Sequence, residues 1–338
     1  MILLLLFVLG TTIGSFLNVC IWRLPRHENV SHPPSHCPSC NTRLKPLDLM
    51  PLLSQLYLRG KCRYCGTRFS WRYFGIEFLT GLLFVLAGLH DLGANPNLDL
   101  LGPGDGILLV RDLIFMATLV VIFFVDYDTR LIQLESVFLL GLSGLVYDAY
   151  AVWTGQSVPV MGGGPGSILP GPVPQSILAM TVTALGLWLL RELFSWLYGR
   201  EALGFGDVIL VAAIGANLGW NATLITFFFL AVMLGASIGV ALQIPRAVRS
   251  YRWGRRRKER YGGGNLALAL ARHAFRKAMP FGPMLAMGAI AALLYGQNIN
   301  AAYMSAITVV PTVSSMRATG SAPGSLSSGL GVFGSDSR

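Results

Sequence analysis

The chain of 338 residues is 53% hydrophobic and only 12% charged, with a mean hydropathy of +0.58, whereas ordinary soluble domains carry about 25% charged residues. Apolar surface on that scale needs lipid as its solvent, which excludes a soluble globular fold and predicts an all-α polytopic membrane protein. The net charge of +10 points to nucleic acid at first sight, but the basic residues fall in two segments between apolar runs, so they are read as a topology signal and no nucleic-acid partner is expected.

The first apolar run covers residues 1–22, about the 20 residues a membrane-spanning helix needs. It opens at Met1 with no basic flank and continues into Gly14-Ser15-Phe16-Leu17-Asn18-Val19 instead of a small-residue cleavage pattern, so it is expected to remain as a transmembrane helix. Residues 23–73 follow as a Cys-rich segment with nine Arg and Lys against Glu28 and Asp48. It is too small to bury a large core and needs a staple. A membrane core over 74–300 then holds apolar runs at 74–90, 107–125, 131–153, 176–197, 221–244 and 281–299, with a shorter one at 208–219, giving about eight transmembrane helices.

Residues 245–279 carry eleven Arg and Lys against Glu259 alone, and the positive-inside rule puts this loop and 23–73 in the cytoplasm. The intervening loops at 93–106 and at 154–175, the latter rich in Gly and Pro, contain no Lys or Arg and fall outside. The basic loop reads as an orientation signal lying on anionic headgroups of the bilayer. Residues 311–338 are Ser- and Gly-rich, a composition of disorder. No internal repeat stands out.

Acidic residues at the ends of spans are the most informative chemistry, because a carboxylate at membrane depth costs several kcal/mol without partners or water. Asp126 closes the third span after Phe123-Phe124-Val125, and Asp207 sits in Gly204-Phe205-Gly206-Asp207 before the short run. The topology puts both at the cytoplasmic edge. Two carboxylates a few ångströms apart share a proton, so one takes a proton from water while the other donates to a peptide carbonyl. Capping or solvation is the ordinary alternative for either acid, and Asp128 and Glu135 compete with Asp126 on base chemistry alone. Gly204 and Gly206 favour Asp207, since they let a backbone or an extended substrate approach closely.

Cys37-Pro38-Ser39-Cys40 and Cys62-Arg63-Tyr64-Cys65 are two C-x-x-C pairs separated by 21 residues, close to the spacing of four-thiolate zinc ribbons. A disulfide is the competing reading, opposed by the reducing cytoplasm. All four positions would be filled, so the zinc would be structural. Cys20 reads as a small buried residue, and His27, His32, His36, His90 and His273 are assigned no role. No G-x-S-x-G, H-E-x-x-H or P-loop pattern is present.

Together these residues resemble the type IV prepilin peptidases, also called leader peptidase/N-methyltransferases. The resemblance runs through Gly14 to Pro25, the Cys-rich segment, Arg72-Tyr73, Glu77 to Gly81, Glu201 to Asp207 and Pro280-Phe281-Gly282-Pro283. It implies that Asp126 and Asp207 are the catalytic aspartates of a G-x-G-D intramembrane protease in the bacterial inner membrane. Its implied partners are prepilins or pseudopilins of a type IV pilus or type II secretion machine, cut at the cytoplasmic face. It further implies N-methylation of the new N-terminus, with S-adenosylmethionine as methyl donor, associated with the Cys-containing segment. A homo-oligomer is compatible with the sequence.

Two positions depart from the family pattern: Gln133 stands where an aliphatic-Pro pair usually continues after Ile132, and Ile209 stands where a Lys is usual two positions after Asp207. The competing functions are a carrier using the two acids as cation ligands, opposed by the lack of paired interrupted helices, and a non-proteolytic pilus or secretion assembly factor.

Overall fold

The computed structural model describes residues 1–93, 102–155, 174–199, 203–261 and 281–308. Nine α-helices lie among them: α1 (Ile2–Arg23), α2 (Leu53–Tyr57), α3 (Trp71–Leu92), α4 (Pro103–Thr129), α5 (Leu134–Trp153), α6 (Gln175–Tyr198), α7 (Phe205–Leu218), α8 (Ala222–Tyr261) and α9 (Gly282–Thr308). The described residues form no strand, only two isolated bridges between α1 and α3. Met1–Gln297 is one compact unit. Asn298 opens a second, whose described part is the end of α9.

Helices stand at all eight apolar runs, but they are not equivalent. Six, namely α1, α3, α4, α5, α6 and the first half of α8, are long and apolar enough to cross a bilayer. With 14 residues, α7 rises only about 21 Å, short of the hydrocarbon core of about 30 Å. α9 has the length, but Gln297, Asn298 and Asn300 make its second half polar.

α8 departs furthest from expectation. It continues for 40 residues to Tyr261, about 60 Å at the α-helical rise, so residues 245–261 of the expected basic loop are helix. Arg, Lys, Gln and Ala are good helix formers, and Pro245 removes a single backbone donor. Residues 262–279, 156–173 and 311–338 lie outside the described residues.

In lipid, close backbone approach and polar fastening replace the hydrophobic drive between helices. Gly10 and Gly14 of α1 provide the approach to α3: a Cβ at Gly10 would stand 2.8 Å from Gly81 Cα, and one at Gly14 2.8 Å from Glu77 Cα. Asn217 at the end of α7 donates to Leu140 O of α5 at 2.7 Å and accepts from the Ser143 hydroxyl at 3.1 Å. Asp148 of α5 accepts from the Ser176 N–H (2.9 Å) and hydroxyl (2.7 Å), fixing the first turn of α6 where a negative charge suits the helix dipole.

Phe115, Met116, Leu119 and Ile122 make α4 the central helix, buried with Leu140, Leu210 and Ile214. By contrast, Phe138, Leu139, Leu142 and Val146 of α5 and Ile225, Phe229 and Val232 of α8 are exposed, as lipid-facing stripes should be.

Candidate active site and metal centre

Asp126 lies in the last turn of α4. The helix ends three residues later, where Arg130 takes a left-handed φ of 58° and its N–H caps Asp126 O at 2.9 Å. The Asp126 side chain is buried, and its Oδ2 has no hydrogen-bond partner among the described residues. Gly282, the first residue of α9, closes over it. A Cβ there would come within 2.6 Å of that oxygen.

Asp207 is in the first turn of α7, with Gly204 as N-cap and the Asp207 N–H donating to Gly204 O at 3.2 Å. A carboxylate is favoured at a helix N-terminus. The turn after α4 reaches this point through Ile132: a Cβ on Gly206 would stand 3.1 Å from Ile132 Cβ. That contact rests the α4–α5 turn on the start of α7, six residues after Asp126 and one before Asp207, so both acids lie at this end of the bundle. Gly206 therefore accommodates a neighbouring side chain, whereas Gly204 is exposed beside the Asp207 carboxylate.

The two competing acids are accounted for elsewhere. Asp128 is held by Arg72, whose Nη1 and Nη2 donate to Oδ1 and Oδ2 at 3.0 and 2.6 Å, while the guanidinium lies 5.0 Å from the centre of the Phe124 ring. Glu135 is exposed in the first turn of α5. Gln133 is the buried residue before α5, which begins at Leu134 without a proline. Ile209 packs partly buried against the core. Sequence reasoning gave no individual role to Arg72 or Gly282; both lie within stretches quoted for the family resemblance, and only folding shows what each touches.

The Arg72–Asp128 pair joins the start of α3 to the end of α4, placing the Cys-rich segment at the same end of the bundle as Asp126. In that segment, His36 bridges to Arg43 and Lys61 to Arg68. Each bridge encloses one C-x-x-C pair. Cys37 N–H donates to Thr42 O (3.0 Å) and Asn41 N–H to Cys37 O (2.8 Å); Cys62 N–H donates to Thr67 O (2.8 Å) and Gly66 N–H to Cys62 O (3.0 Å). Asn41 and Gly66 take the matching left-handed φ of 57° and 71°. The sequence signature is C-x-x-C-x-Thr-Arg, twice, a short duplication that a search for long repeats misses.

The knuckles bring all four sulfurs within 4.8 Å of one another, with Cys37 Sγ and Cys65 Sγ 3.8 Å apart. Zinc–sulfur bonds of about 2.3 Å imply tetrahedral edges of about 3.8 Å, so the donor set fits a four-coordinate metal ion. Thr42 Oγ1 and Thr67 Oγ1 each lie 3.3 Å from the sulfurs of Cys40 and Cys65. The Thr67 hydroxyl and backbone hold the Cys65 thiol down at about 6, and the backbone N–H groups of Cys40 and Ser39 lower that of Cys37. All five cysteines are free of disulfides.

Between this segment and the ends of α1 and α3 lies a cavity of about 690 Å³ whose lining includes Asn18, Glu28, Asp48, Gln55, Tyr73 and Glu77. One Glu77 oxygen accepts from the Leu52 N–H at 2.8 Å, and Gln55 Oε1 is buried without a partner.

A helical bundle with apolar outer faces, two carboxylates at one end and a four-cysteine cluster at that same end defines a multi-pass membrane protein with a candidate acid pair. Comparison with known sequences gives the family. Residues 8–90 match the Bacterial Peptidase A24 N-terminal domain and residues 113–240 the Type IV leader peptidase family. The chain is 31% identical over 330 residues to a prepilin leader peptidase/N-methyltransferase of Aeromonas salmonicida (strain A449), covering 90% of this chain and 94% of that one. A protein of the same name from Pseudomonas putida is 30% identical over 320 residues (88% and 92% covered). One from Dickeya chrysanthemi is 37% identical over 243 residues (65% and 76% covered). No solved structure matches significantly. The chain belongs to the type IV leader peptidase family.

Proposed function

We propose that this protein is a prepilin leader peptidase of the bacterial inner membrane, with Asp126 and Asp207 as its catalytic pair at the cytoplasmic face. The observation that carries the reading is the packing of Ile132 on Gly206, which draws the helix ends bearing these two acids together, with a buried Asp126 oxygen left unpartnered while Asp128 is paired and Glu135 exposed. One ionised carboxylate removes a proton from water as it attacks the scissile carbonyl. The other, protonated, donates to the carbonyl oxygen. Gly204, exposed, places no side chain beside the half-buried Asp207 carboxylate, which suits an extended peptide. The cytoplasmic placement follows from the basic segments at 23–73 and 245–279.

Residues 23–73 act in this reading as a unit stapled by zinc on Cys37, Cys40, Cys62 and Cys65, and residues 74–300 as the peptidase core. The relatives' names add methylation of the new N-terminus. S-adenosylmethionine supplies an electrophilic methyl group when bound; the cavity above Glu77 has the volume for it, and its lining mixes Glu28, Asp48 and Glu77 with Arg23, Lys61 and Arg63, charges of both signs for a ligand that carries both. The unpartnered Gln55 acceptor can take a donor hydrogen bond there.

Mass spectrometry of a cognate prepilin co-expressed with the protein tests both activities. Loss of the leader with intact protein but not with Asp207→Asn supports the peptidase, and a further mass of about 14 Da, one methyl group, supports methylation. Leader removal by Asp207→Asn overturns the pair, and an uncut prepilin bound by the intact protein favours an assembly factor.

A further inference from the structure

A second group of buried acids lies far from the candidate catalytic pair. The last turn of α3 supplies His90 and Asp91, and α4 supplies Asp112. Asp112 precedes Asp126 by 14 residues, which along α4 is about 21 Å, so the two groups are separate. One donor atom from each of His90, Asp91 and Asp112 falls within 4.8 Å of the others.

Each carboxylate is half satisfied. Asp91 Oδ1 lies 2.8 Å from His90 Nδ1, and Asp112 Oδ1 accepts from Arg111 Nε at 2.6 Å. The second oxygen of each, Asp91 Oδ2 and Asp112 Oδ2, is buried with no hydrogen-bond partner. Both acid side chains are only 1% exposed, while that of His90 is 26% exposed and gives the group an opening. Buried, unpaired carboxylate oxygens are costly, and two in one place repel each other as well.

Arg111 supplies one positive charge, and its other contacts are structural: Nη1 donates to Asn217 O at 3.2 Å and the guanidinium lies 4.6 Å from the centre of the Tyr147 ring. Two carboxylates against one guanidinium leave one negative charge, which a bound cation or protonation of His90, 2.8 Å from Asp91, would balance. The imidazole adds a neutral nitrogen donor on the open side. A mixed set of one imidazole and two carboxylates suits a first-row divalent ion.

We propose that His90, Asp91 and Asp112 bind a divalent transition-metal cation that clamps α3 to α4 at the end of the bundle opposite Asp126 and Asp207. The ion occupies the space between the two unpartnered oxygens and is distinct from any metal on the cysteines. Arg111 holds Asp112 in place and carries the tie to α5 and α7.

The test is a Mn²⁺ titration of the full-length protein in detergent after a citrate wash, followed by the electron paramagnetic resonance signal of free Mn²⁺ and by thermal unfolding. Mn²⁺ takes carboxylate and imidazole donors and avoids thiolates, so the cysteine cluster does not register. About one Mn²⁺ per chain is expected, with affinity reduced at least about tenfold in both His90→Ala and Asp91→Asn, and a rise in unfolding temperature with Mn²⁺ that both variants lose. His90→Ala removes a partly exposed side chain and keeps the test open where Asp91→Asn fails to fold. Absence of binding by the intact protein, or unchanged affinity in His90→Ala, overturns the proposal and leaves a proton shared by the two carboxylates. Neither result depends on peptidase activity.

Discussion

The cysteine cluster and the aspartate pair occupy the same end of the molecule but are built in opposite ways. Each C-x-x-C knuckle is closed by its own backbone hydrogen bonds within a few residues, and the second repeats the first down to its left-handed residue and its threonine. The aspartates depend on long-range packing: Ile132 seated on Gly206, and Gly282 seated on Asp126. A local device tolerates changes elsewhere in the chain. A non-local one fails when any of its contacts is displaced.

The largest effect that tests this contrast is on the acids themselves. Asp126→Asn or Asp207→Asn should lower prepilin cleavage at least about 10³-fold, as loss of a positioned acid–base group does, while metal content stays at the intact level. Loss of metal in either variant would show that the two regions are coupled. Gly282→Ala should come next: its Cβ would stand 2.6 Å from Asp126 Oδ2, and the displaced carboxylate should slow cleavage about 10²-fold in protein that still inserts. Unchanged turnover would mean that α9 yields and that the non-local contact is not critical.

Cys62→Ser should reduce bound zinc from about one ion per chain to near none in citrate-washed protein, measured by elemental analysis, and expose residues 23–73 to proteolysis. Thr42→Val and Thr67→Val should each weaken metal binding about tenfold, and by equal amounts if the knuckles are energetic as well as geometric duplicates. Competition against a chelator would detect an imbalance. The smallest effect is expected for Arg72→Ala. Its pairing with Asp128 is more than a third exposed, so its loss should cost at most about 1 kcal/mol in thermal unfolding.

Much of this protein is legible before folding is considered. Its membrane class follows from composition, because that fraction of apolar side chains has no soluble solution. The four cysteines that could hold a metal follow from spacing, because a C-x-x-C turn fixes its own two sulfurs. The candidate acids are also visible, since carboxylates at the ends of apolar runs are rare. Their selection is different: nothing in the order of residues says that Asp128 is held by Arg72 while Asp126 retains an unpartnered oxygen.

His90 illustrates the limit most sharply. Alone it carries no signal, and it gains one only when α3 and α4 bring Asp91 and Asp112 together. Sequence by itself determined the solvent, the apolar helices and the local cysteine knuckles, because those depend on side-chain hydropathy and on turns of a few residues. Tertiary structure alone decided which acids meet, which glycine lies against a carboxylate and which charges are left unpaired, because those depend on distances between helices that the chain order does not encode.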